Sequence, residues 1–427
     1  MSKYLIIGGS AAGIGAVEAI RELDPAGSIT VVSDEVCSTY SRPMISELVG
    51  GKADLETMLC REEGFWESKK VHVLSGRRAV SLNADERAIW LDDGQRVDYE
   101  RLLIATGGNP FIPKIDGVDR DGVFTFTTIS DARRLEERIR RTQDQKAVVI
   151  GAGLIGISVT EALVKRGVQV TVVELQNNIL SLLLDSRASG IVEDAMRKAG
   201  VTIVTGQSVQ RIFGKSENDN SVGGIVLTEG KAIPCDLVIM AIGVVPRTDL
   251  VTGTPVKTNR GIIVDNFMQT NVPNVYASGD VAETFDFIAN QNRVLPLWPL
   301  AVLEGKIAGY NMAGKKTSYS GGTNMSSLKY FGLPIVSVGV ANPQAETCYE
   351  ILSKYDSAKN LYRKIVLKDN VIVGITMVSD IEKSGILYYL MKNRVNVKKF
   401  KGELISDEFG LSKLPVSLRK RMCLGNL

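Results

Sequence analysis

A short stretch near the middle of the chain carries glycines at a spacing suited to phosphate binding. The stretch "GAGLIG" places Gly151, Gly153 and Gly156 in a GxGxxG pattern, between an apolar strand and a helical segment. Glycines there let backbone N–H groups approach a pyrophosphate at a helix N-terminus, where the helix dipole favours an anion. Glu174 ends the next strand, 18 residues after Gly156. A carboxylate there hydrogen-bonds a ribose 2′-hydroxyl and repels a 2′-phosphate, so the spacing predicts a dinucleotide site that favours NADH over NADPH.

A less complete version of the pattern opens the chain. In "GGSAAG", Gly8, Ser10 and Gly13 occupy the three glycine positions, with serine in the middle. Serine fits there if its hydroxyl turns aside or binds a phosphate oxygen. Asp34 follows Gly13 by 21 residues, where a carboxylate would accept a hydrogen bond from a ribose hydroxyl. Taken alone, this motif leaves open a nucleotide cradle or a buried α/β unit without a ligand.

Both motifs belong to units that recur along the chain. The stretch "KAVVIGAGLIGISVTEALVKRGVQVTVVE" repeats the strand, glycine turn, helix, strand and acid of the opening unit. A second repeat pairs "DYERLLIATGG" with "DLVIMAIGVVP", each an acid that leads an apolar strand into glycine. This βαβ pattern is typical of a doubly wound parallel sheet, so two nucleotide-binding α/β domains are predicted.

The remaining segments predict further elements. Residues 128–145 form a charged helix with a Ser or Asp cap, and 213–224 form a polar hairpin loop. Residues 295–314 form a helix with Pro299 in its first turn, where the missing N–H has no helical partner to lose. From about residue 322, alternating strands followed by a helix indicate an α+β domain.

The stretch "TNVPNVYASGDVAE" resembles the second FAD signature of the pyridine nucleotide–disulfide oxidoreductase superfamily. "GGSAAG", "LLIATGG" and "GAGLIG" precede it in the order of that family, so the likeness covers about residues 3–315. It implies an α/β fold of two Rossmann-like, glutathione reductase-type domains with FAD and NAD(H) as cofactors. The implied domains are a split FAD-binding domain (1–119 and 250–321), an NAD-binding domain (120–249) and a C-terminal α+β interface domain (322–427).

The resemblance also implies the residues that hold each cofactor. Asp280 would bind the FAD ribitol, Asp34 the adenosine ribose, and Arg42 would lie beside the flavin. The complete implied FAD set is Gly8, Ser10, Ala11, Ala12, Gly13, Asp34, Arg42, Pro43, Ala105, Thr106, Gly107, Gly279, Asp280, Leu300 and Ala301. The implied NAD set is Gly151, Gly153, Leu154, Ile155, Gly156, Glu174 and Gly243.

No side chain is expected to act as a catalyst, because hydride transfer takes place at flavin N5 in this family. The family's reactive cysteine would fall near Pro43, and Cys37 comes several residues too early. The cysteines form no close pair, so neither a redox-active disulfide nor a metal or iron–sulfur site is expected in this chain. Glu47, Ser158 and Glu161 are the candidate contacts near the flavin or nicotinamide, with their roles left open.

The C-terminal segment predicts an acidic partner. Residues 391–427 hold nine Lys or Arg and three acids, so the segment is +6 in a chain of net charge +3. The stretches "SDIEKSGILYYLMKNRVNV" and "SDEFGLSKLPVSLRKRM" resemble the C-terminal domain of the flavoprotein subunits of phenylglyoxylate dehydrogenase and tungsten aldehyde oxidoreductase complexes, and Ser46 followed by Glu47 resembles the NADH:rubredoxin reductase branch of the family. An iron–sulfur or rubredoxin-type partner in a hetero-oligomer is therefore expected, and a basic surface would speed its encounter.

Other classes of function are weighed against this expectation. One is a stand-alone NADH oxidase or peroxidase, and another is a flavin-bearing subunit without NADH chemistry. No nucleic-acid module accompanies the basic segment, so nucleic-acid binding is not expected. No apolar run is long enough to span a membrane, and scattered thiols fit a reducing compartment, so a cytoplasmic protein is expected.

Overall fold

A computed structural model describes residues 2–36, 39–141, 145–216, 219–343 and 348–424. It divides into two compact units. The first comprises Met1–Phe111, Thr125–Glu137 and Gly243–Thr323, and the second comprises Ile112–Phe124, Arg138–Ile242 and Asn324–Leu427. The second unit therefore includes both the second glycine motif and the C-terminal segment, and the three-domain division stays a prediction.

The secondary structure follows the predicted alternation of strands and helices. The first strands are β1 (Ser2–Ile7), β2 (Ile29–Ser33), β3 (Val71–Ser75), β4 (Ala79–Asn83), β5 (Ala88–Leu91), β6 (Arg96–Ile104), β7 (Gly108–Pro110), β8 (Val123–Thr125), β9 (Lys146–Ile150), β10 (Gln169–Glu174), β11 (Thr202–Thr205), β12 (Val209–Gly214) and β13 (Val222–Leu227). They continue with β14 (Ala232–Pro234), β15 (Leu237–Met240), β16 (Val244–Pro246), β17 (Ile262–Ile263), β18 (Val275–Ala277), β19 (Ala282–Asp286), β20 (Gln291–Val294), β21 (Met325–Tyr330), β22 (Leu333–Gly339), β23 (Glu350–Asp356), β24 (Leu361–Lys368) and β25 (Val371–Val378). The α-helices are α1 (Ala11–Leu23), α2 (Ile45–Val49), α3 (Leu55–Met58), α4 (Phe65–Ser68), α5 (Ile129–Arg141), α6 (Leu154–Lys165), α7 (Ser186–Lys198), α8 (Trp298–Met312), α9 (Ser384–Lys392) and α10 (Val416–Leu424).

The first unit is built on a sheet in the order β3-β2-β1-β6-β5-β4, with β18 also paired to β6. Strands β3, β2, β1, β6 and β18 run parallel, as the βαβ pattern predicts. Ile7 lies beside Val32 and Ile104, and Ile104 lies beside Ala277. This register brings the carboxyl ends of four strands to one edge of the sheet, where α/β proteins bind ligands.

Helices α1 and α8 approach each other closely because small residues face each other between them. A Cβ on Gly305 would lie 2.0 Å from the Ala12 carbonyl oxygen, and one on Gly15 would lie 2.4 Å from the Val302 oxygen. Both contacts are to backbone atoms, which cannot rotate away. Pro299 stands in the first turn of α8, as predicted.

The second unit contains a sheet in the order β11-β10-β9-β15-β8, in which β11, β10, β9 and β15 run parallel. Val173 lies beside Ile150, and Ile150 lies beside Met240, so this sheet repeats the edge found in the first unit. Strands β12 and β13 form the predicted hairpin, and β13 also pairs with β14 to complete a small antiparallel sheet.

An antiparallel sheet in the order β21-β22-β25-β24-β23 forms the C-terminal part of the second unit, as the alternating pattern predicts. Polar contacts fasten this sheet to the loop that precedes α7. The nearly buried Lys364 ammonium pairs with Asp185 and also donates to the Ala341 carbonyl at 2.6 Å. Tyr362 donates to the same Asp185 carboxylate at 2.7 Å. A buried cation with an anion and a carbonyl as partners is well satisfied, and this makes the attachment specific.

The predicted cap of the charged helix is wrong by a few residues. Thr128, rather than Ser130 or Asp131, caps α5: its hydroxyl accepts from the Asp131 N–H at 3.1 Å. The Asp131 carboxylate accepts in return from the Thr128 N–H at 3.1 Å. This reciprocal capping box satisfies two N–H groups at once, whereas a cap at Ser130 would shorten the helix.

The remaining expectations concern membrane-spanning helices, metal sites and the cysteines. Within the described residues, no helix is long and apolar enough to cross a membrane, and no cluster of His, Cys, Asp or Glu could hold a metal. Cys37 lies outside the described residues, as does the side chain of Cys423.

The contact between α1 and α8 predicts a large effect from a single methyl group. Gly305→Ala places a Cβ against the Ala12 carbonyl, and we expect it to lower the free energy of unfolding by about 2–3 kcal/mol. Gly190→Ala is the matched control, because Gly190 is also helical and its Cβ would meet nothing within 4 Å. That variant should be neutral or gain up to about 1 kcal/mol. Denaturant unfolding of both variants tests the packing, and equal stability would contradict it.

Candidate functional site

Glycines and small residues from distant parts of the chain meet at the carboxyl edge of the first sheet. Gly8 has φ +117°, and a Cβ on it would lie 2.1 Å from the Ala105 carbonyl oxygen. Gly279 has φ +75°, and its Cβ would lie 3.2 Å from the Ala12 Cβ and 3.4 Å from that of Ala301. Both glycines thus adopt backbone conformations that side chains disfavour, in a space that side chains would fill.

The first glycine loop leaves the N-terminus of α1 available to a ligand. A Cβ on Gly13 would lie 2.0 Å from the Gly8 oxygen, so the loop closes on itself through glycine. Ser10 occupies the N-cap position but its side chain makes no capping hydrogen bond. The first N–H groups of a helix have no helical acceptor, and an anion can satisfy them.

Arg42 links the glycine loop to the segments around it. Its Nε donates to Ser10 Oγ at 3.4 Å, and one Nη donates to the Thr127 carbonyl at 3.1 Å. Its other Nη pairs with the Glu35 carboxylate. The Ser10 hydroxyl therefore turns toward Arg42, one of the two arrangements by which serine was expected to replace glycine.

Arg42 lies near several acidic groups at this edge of the sheet, and the charges of these groups affect one another's pKa. Burial alone would lower the pKa of Arg42, but the Tyr40 hydroxyl and nearby acids raise it, so the guanidinium stays charged. Burial raises the pKa of the Asp280 carboxyl, and the charge of Arg42 opposes that shift. The structure thus brings Asp280 and Arg42 into one electrostatic environment.

Asp34 is held by a residue that the sequence did not indicate. The Arg247 guanidinium contacts Asp34 Oδ2 at 2.6 Å and the Asn109 side-chain oxygen at 2.7 Å. The backbone of Arg247 also bonds the Gly107 carbonyl at 2.9 Å and the Thr106 hydroxyl at 2.8 Å. Arg247 therefore ties the acid after β2 to the "ATGG" stretch after β6.

Glu304 on α8 is a second residue that sequence reasoning missed. Its carboxylate is 2% exposed and accepts from the Gly279 N–H at 2.9 Å and from the Thr284 hydroxyl at 2.8 Å. Burial raises its pKa from 4.5 to about 7, and the charge of Asp280 acts in the same direction. The signal in the sequence was a single acid among the small and apolar residues of a buried helix.

The second glycine loop repeats the geometry of the first in the second unit. Gly151 has φ +98°, and its Cβ would lie 2.5 Å from the Ala241 carbonyl oxygen. A Cβ on Gly156 would lie 2.0 Å from the Gly151 oxygen, the same contact that Gly13 makes in the first loop. Gly153 meets no atom within 4 Å, which leaves its backbone open to a pyrophosphate. Leu154 and Ile155 then begin α6.

The Glu174 carboxylate faces this loop. One oxygen accepts from the Ala152 N–H at 2.7 Å and the other from the Gln176 N–H at 2.8 Å. Two backbone hydrogen bonds hold the acid at the end of β10, beside the open backbone of the loop. Gly243, also expected to contact NAD, belongs to the first unit and has φ +114°.

The other candidate contacts lie in different settings. Ser158 Oγ lies 3.1 Å from the Tyr330 hydroxyl, and Glu161 pairs with Lys165 at 2.5 Å along the same helix. Glu47 and Pro43 are exposed in the segment that begins at Arg42, and Leu300 is half-buried in the first turn of α8.

Comparison with known proteins decides the family. The model for "Pyridine nucleotide-disulphide oxidoreductase" matches residues 2–305, and that for "Rubredoxin NAD+ reductase C-terminal domain" matches residues 325–395. This chain belongs to the pyridine nucleotide-disulphide oxidoreductase family. The predicted family, fold class and cofactors, FAD and NAD(H), are thereby confirmed. Both glycine loops suit such cofactors. In the first loop the N-terminal N–H groups of α1 have no side-chain cap, and in the second loop the backbone at Gly153 is open. Each loop is accompanied by an acid at or just after the end of the second strand of its βαβ unit.

Individual relatives have related activities. The chain is 32% identical over 416 residues to the NADH-dependent phenylglyoxylate dehydrogenase subunit epsilon of Aromatoleum evansii, covering 96% of each protein. It is 32% identical over 345 residues to an NADH oxidase of Methanocaldococcus jannaschii, covering 79% of this chain and 76% of that protein. A NAD-dependent persulfide reductase from A. fulgidus superposes with a TM-score of 0.86 at 27% identity, over 92% of this chain and 77% of that one. The chain is therefore an NADH-dependent flavoprotein oxidoreductase.

The buried Glu304 predicts a pH-dependent stability. Because its pKa in the folded protein, about 7, exceeds its ordinary 4.5, its contribution to stability is complete below about pH 4.5 and is lost as pH rises through about 7. That difference in pKa corresponds to about 3 kcal/mol at about 1.4 kcal/mol per pKa unit. Glu304→Gln keeps acceptor and donor groups for Gly279 and Thr284 but cannot ionise.

Denaturant unfolding at about pH 5 and about pH 8 measures the effect. The stability of Glu304→Gln relative to wild type should increase by about 3 kcal/mol between these values. Glu63→Gln, which removes an exposed acid, serves as the control and should show no such change. Parallel pH profiles for wild type and Glu304→Gln would contradict the assignment.

Proposed function

We propose that this chain transfers hydride between NADH and FAD and passes electrons to or from an iron–sulfur or rubredoxin-type protein. It would do so as the NAD(H)-linked flavoprotein subunit of a larger oxidoreductase complex. The observation that carries the proposal is the pair of glycine loops with one geometry, each followed by an acid that hydrogen bonds hold in place. One loop would hold FAD and the other NAD(H).

The residues of the chain would bind and orient the cofactors, while FAD supplies hydride acceptance at N5 and release of single electrons. Arg42 and Asp280 would flank the flavin end of the first site, and Glu304 would hold the Gly279 backbone that carries Asp280. The charge of Glu174 would repel a 2′-phosphate and so select NADH. Alignment of the two rings is the main contribution of a protein to such a transfer.

Two of the thiols that the structure describes, Cys60 and Cys235, support a reaction without cysteine chemistry. Burial raises the pKa of Cys235 to about 12 and also raises that of Cys60. Cys60 Sγ donates to the Thr39 carbonyl at 3.2 Å, which uses its proton. Reactive cysteines need a lowered pKa, so neither thiol has the setting of a nucleophile.

The C-terminal part offers a basic surface for the electron partner. Lys398, Lys399 and Lys420 are exposed, and no acid pairs with them within the described part of the chain. Lys401 pairs with Glu350 at 2.7 Å, so it contributes less to a field that a partner would experience. The likeness of residues 325–395 to a rubredoxin reductase domain supports an acidic iron–sulfur or rubredoxin-type partner.

A stand-alone NADH oxidase is the second candidate, favoured by the likeness to the relative of that name. It differs from the first proposal in its electron acceptor. A stand-alone oxidase would turn over rapidly with oxygen in the absence of any partner, whereas a complex subunit would be slow until the partner is added.

Anaerobic titration of the flavin-loaded protein with NADH tests the first step. We expect the visible flavin band to bleach at about one equivalent of NADH, with NADPH at least about tenfold less effective. Glu174→Gln keeps a hydrogen-bond acceptor but removes the charge, so its preference for NADH should fall several-fold. Glu229→Gln, an exposed acid of the same unit, should retain the wild-type preference. Bound flavin that stays oxidised with NADH would sink the proposal.

Charge reversal on the basic surface tests partner docking. We expect Lys398→Glu combined with Lys399→Glu to slow reduction of rubredoxin or a small ferredoxin about tenfold at low salt, because steering by charge is lost. The rate of flavin reduction by NADH should not change. Lys231→Glu, an exposed position elsewhere in the unit, is the control. Arg419 is left unaltered, because it is half-buried and its substitution would disturb packing. Unchanged partner kinetics at low salt would contradict docking at this surface.

A further inference from the structure

A tight hairpin of the C-terminal sheet presents Tyr330 to the helix of the second glycine loop. Tyr330 ends β21 and pairs with Leu333 at the start of β22. Phe331 and Gly332 connect them with φ +47° and +84°. Positive φ at both central residues is typical of a type I′ turn, which holds two antiparallel strands in a fixed register.

The Tyr330 hydroxyl bonds the first turn of α6. It donates to the Leu154 carbonyl at 3.0 Å and lies 3.1 Å from Ser158 Oγ. Leu154 is the first residue of α6 and directly follows Gly153, whose backbone is open. The hydroxyl therefore reaches the helical turn that would present its N–H groups to a pyrophosphate.

The arrangement suits a donor that stays protonated. The Tyr330 side chain is 6% exposed, and burial raises its pKa to about 12. With Leu154 accepting the tyrosine proton, the Ser158 hydroxyl can donate to the tyrosine oxygen. The Ser158 hydroxyl thus has a hydrogen-bond partner on the C-terminal sheet, and this interaction accounts for a serine at this candidate contact.

We propose that Tyr330 is a positioning residue of the dinucleotide site, through which the C-terminal sheet holds the first turn of α6 ready for NADH. The inference rests on the proposed function, because it takes the second glycine loop as the NAD(H) site. The first N–H groups of a helix have no helical acceptor, and Tyr330 tethers the turn that presents them through the Leu154 carbonyl and the Ser158 hydroxyl. A preorganised turn binds more tightly because less order is imposed when the ligand arrives.

Tyr330→Phe in the flavin-loaded protein tests the inference, since it removes only the hydroxyl. We expect NADH to bind about three- to tenfold more weakly, a typical loss for one positioning hydrogen bond. KM for NADH should rise while the maximal rate of flavin reduction stays within about twofold, the signature of a lost binding contribution. Amide hydrogen exchange in residues 155–160 should become faster in the protein without nucleotide.

Tyr362→Phe is the matched control, because it removes a tyrosine hydroxyl from the same sheet that bonds Asp185 instead of α6. It should leave NADH affinity and exchange in α6 as in wild type. Ser158→Ala gives a second test from the helix side, and it should weaken NADH binding by a smaller factor than Tyr330→Phe. If Tyr330→Phe and Ser158→Ala both bind NADH as tightly as wild type, with unchanged exchange, the inference is overturned. If the wild type itself does not bind NADH, the proposed function fails, and the exchange rates alone then decide whether Tyr330 holds the turn.

Discussion

The parallel register of β1, β6 and β18 is the constraint on which the first site depends. Because Ile7, Ile104 and Ala277 lie side by side, the glycines that follow each strand reach the same edge of the sheet. A shift by one residue would turn every following side chain to the opposite face. The close contact of Gly8 with the Ala105 carbonyl shows how little space that edge allows. Backbone geometry, rather than any reactive side chain, therefore defines the cradle.

Polar groups then hold this edge in place. The buried Glu304 satisfies the Gly279 N–H, and the half-buried Arg42 joins the serine of the glycine loop to Glu35. Glu304 loses solvation on burial, and the hydrogen bonds from Gly279 and Thr284 compensate for that loss. The arrangement places an acid that can ionise near neutral pH directly behind the turn that carries Asp280. The protonation state of Glu304 and the position of the Gly279 backbone are thus linked in the first unit.

In the second unit, specific polar contacts fasten the C-terminal sheet to the loop before α7 and to α6. Lys364 and Tyr362 share Asp185 before α7, and Tyr330 bonds the first turn of α6. The domain that resembles a rubredoxin reductase domain therefore has a direct physical connection to the second glycine loop. The exposed Lys398, Lys399 and Lys420 follow that domain in the chain and are the part of the same unit that would attract an acidic partner.

The sequence by itself determined the features that depend on local backbone chemistry. The βαβ units, the glycine loops, the acid at Glu174 and the helix with Pro299 in its first turn all follow from spacing within a few tens of residues. Those local patterns also carried the family and its cofactors. The cap of α5 was misplaced because Thr128, Ser130 and Asp131 all have capping side chains, so residue type alone does not decide among them.

Only the tertiary structure decided which side chains support these loops. Asp34 and Arg247 are 213 residues apart, and Tyr330 is 176 residues from Leu154, so no local pattern could pair them. Asp34 occupies the position expected for the ribose-binding acid, and no local pattern distinguishes the neighbouring Glu35. In the fold, Arg42 pairs with Glu35 and Arg247 pairs with Asp34. By sequence, Glu304 is a single acid in a core helix, and only the fold shows that its carboxylate accepts a hydrogen bond from the Gly279 N–H. Local geometry follows from residue types, whereas these side-chain pairs form only when separate elements pack together in the folded chain.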